Sequence, residues 1–469
     1  MTRFSAAVLC AAAATSTLAA QGRPAPRQLG APTATSTTTL GSVNHVRALP
    51  GGMLLVNDAL RRQVLLFDES LGNPTVVADT SAATANAYSG QFAGLIPYRG
   101  DSTLFVDPQS LSMMVIDPKG QMGRVLSIPV AQEAIFLAGA QGQPGFDAKG
   151  RLLYRGNNFT FGGRGGFRPP TPGQPFQMPA IPDTAPIKRV DLSTRTVDTA
   201  GWFKTYSPRP NVVVGENGSV TVTTEINPFP TVDTWAVMPN GDVALVRGRD
   251  YHIDWLRADG TTESSAKIPF NWRRLNDEEK VALIDSVKAA RARMPGAGTP
   301  AAAGQQMAQA FGFGGGGGGG AAPAPTPAAG GGAQTFVIMG GPGMERAGGG
   351  GDRGGDRGPQ QRGGGGGGPG AFNPTVNFVE PSALPDYLPA FAQNAARADA
   401  DGTLWIQLSL PTPVGTGALY DVINGKGELV DHVQLPGGRT LVGFAAGGVA
   451  ILSHRDEAGG FKLERVKVK

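Results

Sequence analysis

Cysteine is all but missing from this chain of 469 residues, which has one, Cys10. That cysteine sits inside an apolar stretch at 4–14, preceded by Arg3 and followed by small residues at Thr17, Ala19 and Ala20. Together these are the three parts of a secretory signal over residues 1–20, with cleavage expected after Ala19 or Ala20. Leu9 stands where lipid-attachment signals carry a small residue, so Cys10 is expected to leave with the signal. A mature chain without a thiol excludes disulfides, zinc thiolates and a cysteine nucleophile. Its stability must come from burial, in the periplasm or outside the cell. Long apolar runs are missing too, and without one of about 20 residues no transmembrane segment is expected.

Histidine and charge are also scarce. The four histidines, His45, His252, His432 and His454, stand at unrelated positions and form no HExxH-type pair, which argues against zinc. No GxSxG elbow occurs, and matches to GxGxxG fall only in polyglycine. Charged residues make up 17% of the chain, and the net charge of +4 is too small over this length to imply nucleic acid. Arg-Gly pieces at 346–363 look like RNA-binding segments, but export removes that partner, and a solvated linker accounts for them.

What is plentiful is glycine (70) and proline (38), in a pattern that repeats. Short apolar runs at 53–56 (MLLV), 104–106 (LFV), 152–154 (LLY), 243–246 (VALV), 404–406 (LWI) and 449–452 (VAIL) each follow a Gly- or Asp-bearing turn. Where no insertion intervenes, they recur about every 46 to 50 residues. A polar loop, a second apolar strand and a further turn follow each run, and a fourth strand follows all but the last. The pattern predicts an all-β chain: a six-bladed β-propeller of four-stranded blades over 33–469, with blade six short of its outer strand. The Thr-rich residues 33–40 have strand chemistry and are predicted to supply it, closing the ring and removing open sheet edges. A closed ring of this kind is expected as a monomer.

Three insertions interrupt the repeat. They are a Gly/Pro-rich loop at 156–186, a hairpin within 207–232, and a long segment at 271–392. Strand order places all three on one face of the ring. In the longest, Asn276 and Glu279 form a capping box that opens a helix at 277–293, with Val281, Ile284 and Val287 on one face. Residues 296–370 are Gly, Ala and Pro with scattered Arg, too poor in burial to offset ordering entropy, and are expected to be disordered.

The stretches DTWAVMPNGDVALVRGRDYHIDWLRADG (233–260) and ARADADGTLWI (396–406) resemble the six-bladed β-propeller superfamily of NHL-repeat and TolB-like proteins, above all its secreted bacterial members. The resemblance implies the blade architecture. It leaves function open, because such propellers serve as binding platforms, lactonases and lyases.

Candidate site residues lie in the loops between the second and third strands of each blade. Blade one offers Asn57, Asp58 and Arg61, blade two Asp107, and blade three Arg155 with Asn157. Blade four has the densest cluster, Arg247, Arg249, Asp250 and Tyr251 beside His252. Arginine forks there suit the carboxylate or phosphate of a small anionic ligand. The competing reading pairs Arg249 with Asp250 and Arg61 with Asp58 as stitches between blades. A second set, Asn44, Asp233 and Asn394, with Gln91, lies where inner strands begin and offers hard oxygen ligands for calcium. Its single carboxylate and the want of a catalytic base weaken a hydrolase, and no catalytic residue is nominated. Of the five tryptophans, four sit in strand patterns and are read as packing, whereas Trp272, beside Arg273 and Arg274, is read as a cover for the central funnel. The leading expectation is an exported binding propeller for a small anionic ligand or an envelope protein. A calcium-dependent lactonase and an envelope scaffold stand as alternatives.

Overall fold

The computed structural model describes residues 23, 25–81, 88–89, 93–157, 182–207, 209–214, 220–292, 372–409 and 416–468. The expected signal at 1–20, most of the loop at 156–186 and the expected disorder at 296–370 fall outside these residues.

Six blades form the ring. Blade one is built from His45–Ala48, Leu54–Asp58, Gln63–Phe67 and Thr75–Ala78, and blade two from Gly94–Pro97, Thr103–Asp107, Ser112–Ile116 and Met122–Ser127. Blade three comprises Gly145–Phe146, Leu152–Arg155, Thr184–Val190 and Val197–Lys204, and blade four Thr234–Val237, Val243–Arg247, His252–Leu256 and Thr262–Ser264. Phe391–Ala398, Leu404–Leu408, Thr416–Ile423 and Leu429–Pro436 form blade five. Blade six holds Arg439–Ala445, Val449–Arg455 and Phe461–Lys467, and its fourth strand is Ala34–Thr35. Within each blade the strands are antiparallel.

The apolar runs are continuous rather than alternating because each blade is buried on both faces. Leu54 and Val56 face the seam with blade six, while Leu55 between them faces blade two. The same alternation puts Leu153 toward blade four and its neighbours Leu152 and Tyr154 toward blade two. Each of the six seams therefore has its own apolar cluster. No single central core is needed, and the ring holds together as a cycle of pairwise contacts.

Ring closure follows the sequence expectation. Ala34 and Thr35 pair with Arg465 and Glu464, Leu40 bridges to Phe461, and Leu40 is fully buried at the seam of blades six and one. Inner strands of blades six and one then lie side by side. A second addition was not foreseen: Arg27–Gln28 pairs in parallel with Val433 and Gln434, giving blade five a fifth, outermost strand.

The insertions build a small layer of their own. Arg209–Val214 and Val220–Ile226 make the expected hairpin, and Phe372–Phe378, from the far end of the long insertion, adds to it in parallel. The helix Asp277–Ala292 opens with the expected capping box, Glu279 N donating to Asn276 Oδ1 (2.8 Å) and Asn276 N to Glu279 Oε2 (3.0 Å). Its inward face is Ile284 with Lys280, which reaches Asp386 at 2.8 Å; Val281, expected inward, is exposed. Trp202, expected as packing, is also exposed, because it lies on the outermost strand of blade three, where no further strand covers it. Trp235, Trp255 and Trp405 are buried in seams as expected.

Candidate functional site

Several of the loop residues singled out from the sequence turn out to be stitches. Asp58 is buried, and its carboxylate accepts from the backbone N–H of Gly41 (2.8 Å), Ser42 (2.9 Å) and Arg61 (3.2 Å). It thus ties the chain entering blade one to that blade's own loop, with Arg61 only a loose ion pair at 3.9 Å. Asp107 repeats the device in blade two, accepting from the Ser89 hydroxyl and from Gln109 N (3.1 Å). Asn57 spans a seam, donating to Ala93 O (2.7 Å) and accepting from the Tyr88 hydroxyl (2.6 Å). Arg155 is buried under Phe136, and desolvation pushes its guanidinium down to about 10.

The arginine fork of blade four is likewise committed. Arg247 Nε donates to Asp254 (2.7 Å), and its Nη1 donates to both Asp233 (2.9 Å) and the Trp202 carbonyl (3.1 Å). Two carboxylates offset its charge, so Arg247 is engaged as a stitch within blade four, the competing reading of such loop arginines. The expected Arg249–Asp250 pair is not formed: Arg249 is exposed, while Asp250 turns to His252 (2.7 Å) and Lys267 (3.5 Å).

Asp233 was the one carboxylate of the calcium set. Its oxygens accept from Gly248 N (3.0 Å), Lys204 N (2.9 Å) and Arg247. A carboxylate saturated by donors and paired with a cation is poorly placed to ligate a metal. Asn44 directly precedes the inner strand of blade one, whereas Asn394 lies within that of blade five, in the left-handed region (φ 62°) at a register shift between Phe391 and Ala396. Among the described residues no group of three or more His, Cys, Asp or Glu side chains could hold a metal ion.

A different cluster assembles at the seam of blades four and five, on the insertion-bearing face. Tyr251 ends the loop before His252–Leu256 in the left-handed region (φ 54°), as Arg62 and Leu111 do in blades one and two. In blade four that slot carries a large aromatic, fully buried, whose hydroxyl donates to Asp421 Oδ2 at 2.8 Å across the seam. Asp421 is itself fully buried in the middle of Thr416–Ile423, opposite His432 on the next strand. His432 Nε2 lies 3.5 Å from Asp421 Oδ1. The same Oδ1 accepts from Arg23, whose guanidinium stacks over the Phe270 ring at 5.2 Å and donates to Pro269 O at 3.1 Å.

Electrostatics follow from this packing. Burial pushes the Asp421 carboxyl above its ordinary value, opposed by the Arg23 charge and the Tyr251 hydroxyl. The Tyr251 phenol is held far above its usual range by burial and the adjacent carboxylate, so it is a donor at any physiological pH. An aromatic stair leads outward from the cluster. Phe391 lies 5.7 Å from Tyr251, Tyr251 meets Phe270 edge-on at 5.5 Å, and Phe270 meets Trp272 at 5.1 Å. Trp272, at 38% exposure, is the outermost step.

The sequence reading named Tyr251 and Trp272 but missed Asp421, His432, Phe270 and Arg23. A signal for Asp421 was present in LYDVI, a lone carboxylate inside an otherwise apolar strand. Nothing local marks Arg23.

The opposite face offers a recess of about 250 Å³ between blades four and five, lined by Asn240, Asp242, Trp255, Arg257 and Asp401. Its charges are spent within the fold. Arg257 pairs with Asp242 (2.7 Å) and Glu263 (2.8 Å), and Asp401 accepts from the backbone of Gly447 and Gly448.

Six four-stranded blades closed by an N-terminal strand make this a six-bladed β-propeller, here with a buried polar cluster at one seam. The chain is similar to a solved virginiamycin B lyase from Staphylococcus aureus with quinupristin (TM-score 0.37, 9% identity, 93% of this chain and 98% of that one). A gluconolactonase from Xanthomonas campestris is similar over 95% of this chain and 98% of that one (TM-score 0.35, 10% identity). TolB from Acinetobacter baumannii is similar over 92% and 64% (TM-score 0.29, 10% identity). No protein-family model and no curated protein sequence matches the chain. No helix among the described residues is long and apolar enough to cross a membrane.

Proposed function

We propose that the chain is an exported binding propeller whose ligand or envelope partner meets the insertion-bearing face at the seam of blades four and five. The observation that carries this reading is the aromatic stair from exposed Trp272 to buried Tyr251. An indole held edge-on against Phe270 and partly open to solvent is a preformed apolar step beside polar groups, the composition of a ligand site. Both insertions join the outer strand of one blade to the inner strand of the next, the connections that share a side of the ring with this loop, and their strands take no part in closing it, which fits loops recruited for recognition. The committed state of Asp233 takes support from the calcium-dependent hydrolase.

Unfolding midpoints and tryptophan fluorescence, measured against a panel of phosphate, citrate, calcium chloride, N-acetylarginine amide and N-acetyllysine amide, test the reading. At least one organic or phosphate ligand should raise the midpoint and change the fluorescence of the wild type, and Trp272→Ala should lose both effects. Equal responses in the two proteins would place binding elsewhere. A response to calcium alone, abolished by Asp233→Asn, would return the hydrolase.

A further inference from the structure

We propose that the recess formed by Asp421, Tyr251, His432 and Phe270 is a guanidinium-recognition site, occupied in this chain by its own Arg23 and open to an arginine side chain of a ligand when the N-terminal arm leaves. This deepens the binding reading above and rests on it.

The recess has the parts that planar cation recognition needs. A fully buried carboxylate, Asp421, supplies the counter-charge, and its second oxygen is fixed by the Tyr251 hydroxyl, so the first is left for the guest. The Phe270 ring offers a face to the guanidinium, and the Pro269 carbonyl accepts from its other nitrogen. Carboxylate, ring face and carbonyl together select a flat, multiply donating cation over a compact ammonium. His432 closes the side, 3.3 Å from the guanidinium.

The occupant is held in a way that allows exchange. Arg23 belongs to an arm whose regular pairing is two residues long, Arg27 and Gln28 against the edge of blade five, helped by the half-buried Arg27–Asp431 pair at 2.5 Å and by buried Leu29. One ion pair and one two-residue ladder are a modest hold on the arm. Arg23 also fits imperfectly, since its buried Nε finds no acceptor. By contrast Asp421 cannot be left empty cheaply, because a buried carboxylate without a partner is strongly destabilising. The site thus needs a cation and is weakly committed to this one. The stair to Trp272 is the route by which a replacement arrives.

The test uses the full chain with Arg23→Ala, and Arg23→Met, which keeps an apolar stem, should alanine fail to fold. N-acetylarginine amide is the probe, N-acetyllysine amide the control, and calorimetry and the unfolding midpoint the readouts. The arginine probe should bind Arg23→Ala one to one and raise its midpoint. The lysine probe should bind at least about tenfold more weakly. Wild type should also bind the arginine probe at least about tenfold more weakly, because tethered Arg23 competes at a millimolar-scale effective concentration. Adding Asp421→Asn to Arg23→Ala should abolish the response. Binding that ignores Asp421→Asn, equal affinity for the two probes, or no binding to folded Arg23→Ala would each overturn the proposal. If the arginine probe fails while another panel ligand still responds through Trp272, the guanidinium site falls and the binding reading stands.

Discussion

Acidification should destabilise this propeller through one residue of its innermost layer, His45. Its imidazole is packed against Gly139, where an added Cβ would lie 2.5 Å from the ring, and faces the positive charge of Arg397. Burial first, and Arg397 second, push its pKa from 6.5 down to about 4. The sign follows from proton counting. Between pH 6.5 and 4 the unfolded chain takes up a proton that the folded chain refuses, so stability is full above pH 6.5 and is lost as pH falls toward 4. A depression of this size corresponds to about 3 kcal/mol at the acid limit and about 2 kcal/mol at pH 5. Part of the residue remains accessible, which makes these figures ceilings. Denaturant unfolding of wild type and His45→Asn, each measured from pH 7.5 to 4.5, isolates the effect, because every other titrating group cancels in the difference. The variant should lose less stability than the wild type over that range, by about 1 to 2 kcal/mol at pH 5. Arg397→Gln should move the wild-type loss to lower stability cost by letting His45 accept its proton earlier. Parallel pH curves for wild type and His45→Asn would refute the argument.

Two further perturbations separate stitching from recognition. Asp58→Ala removes a fully buried carboxylate and leaves the backbone donors of half-buried Gly41 and Ser42 and of exposed Arg61 without it, and should lower unfolding stability by about 1 to 3 kcal/mol while leaving the ligand response of the blade four–blade five seam unchanged. Leu40→Ala empties a fully buried position at the closing seam and should cost about 2 to 5 kcal/mol, read as a lower denaturation midpoint and faster proteolysis of the first forty residues.

The calcium set and the anion clamp show why candidate residues in loops read two ways. Asp58, Asp107, Asp233 and Arg247 look functional because they are charged residues in polar turns. In the ring they face backbone N–H groups and one another, and their charge is used to fasten the chain entering each blade to the loop of that blade. A turn rich in acids reads the same whether its donors come from a ligand or from a neighbouring segment, and only the packed structure tells which.

By itself the sequence determined the blades. Runs such as LFV and VALV are apolar on both faces, each bounded by turn residues, and that is a property of ten or so consecutive residues wherever they end up. The capping box at Asn276 and Glu279 and the strand chemistry of the segment containing Ala34 and Thr35 were readable for the same reason. Tertiary structure alone decided the site. Arg23, Tyr251, Phe270, Asp421 and His432 come from distant parts of the chain, and no local pattern links them. They meet because ring closure sets blade five against blade four, the buried carboxylate of Asp421 must find donors at that seam, and the N-terminal arm passes over its edge on the way to closing blade six.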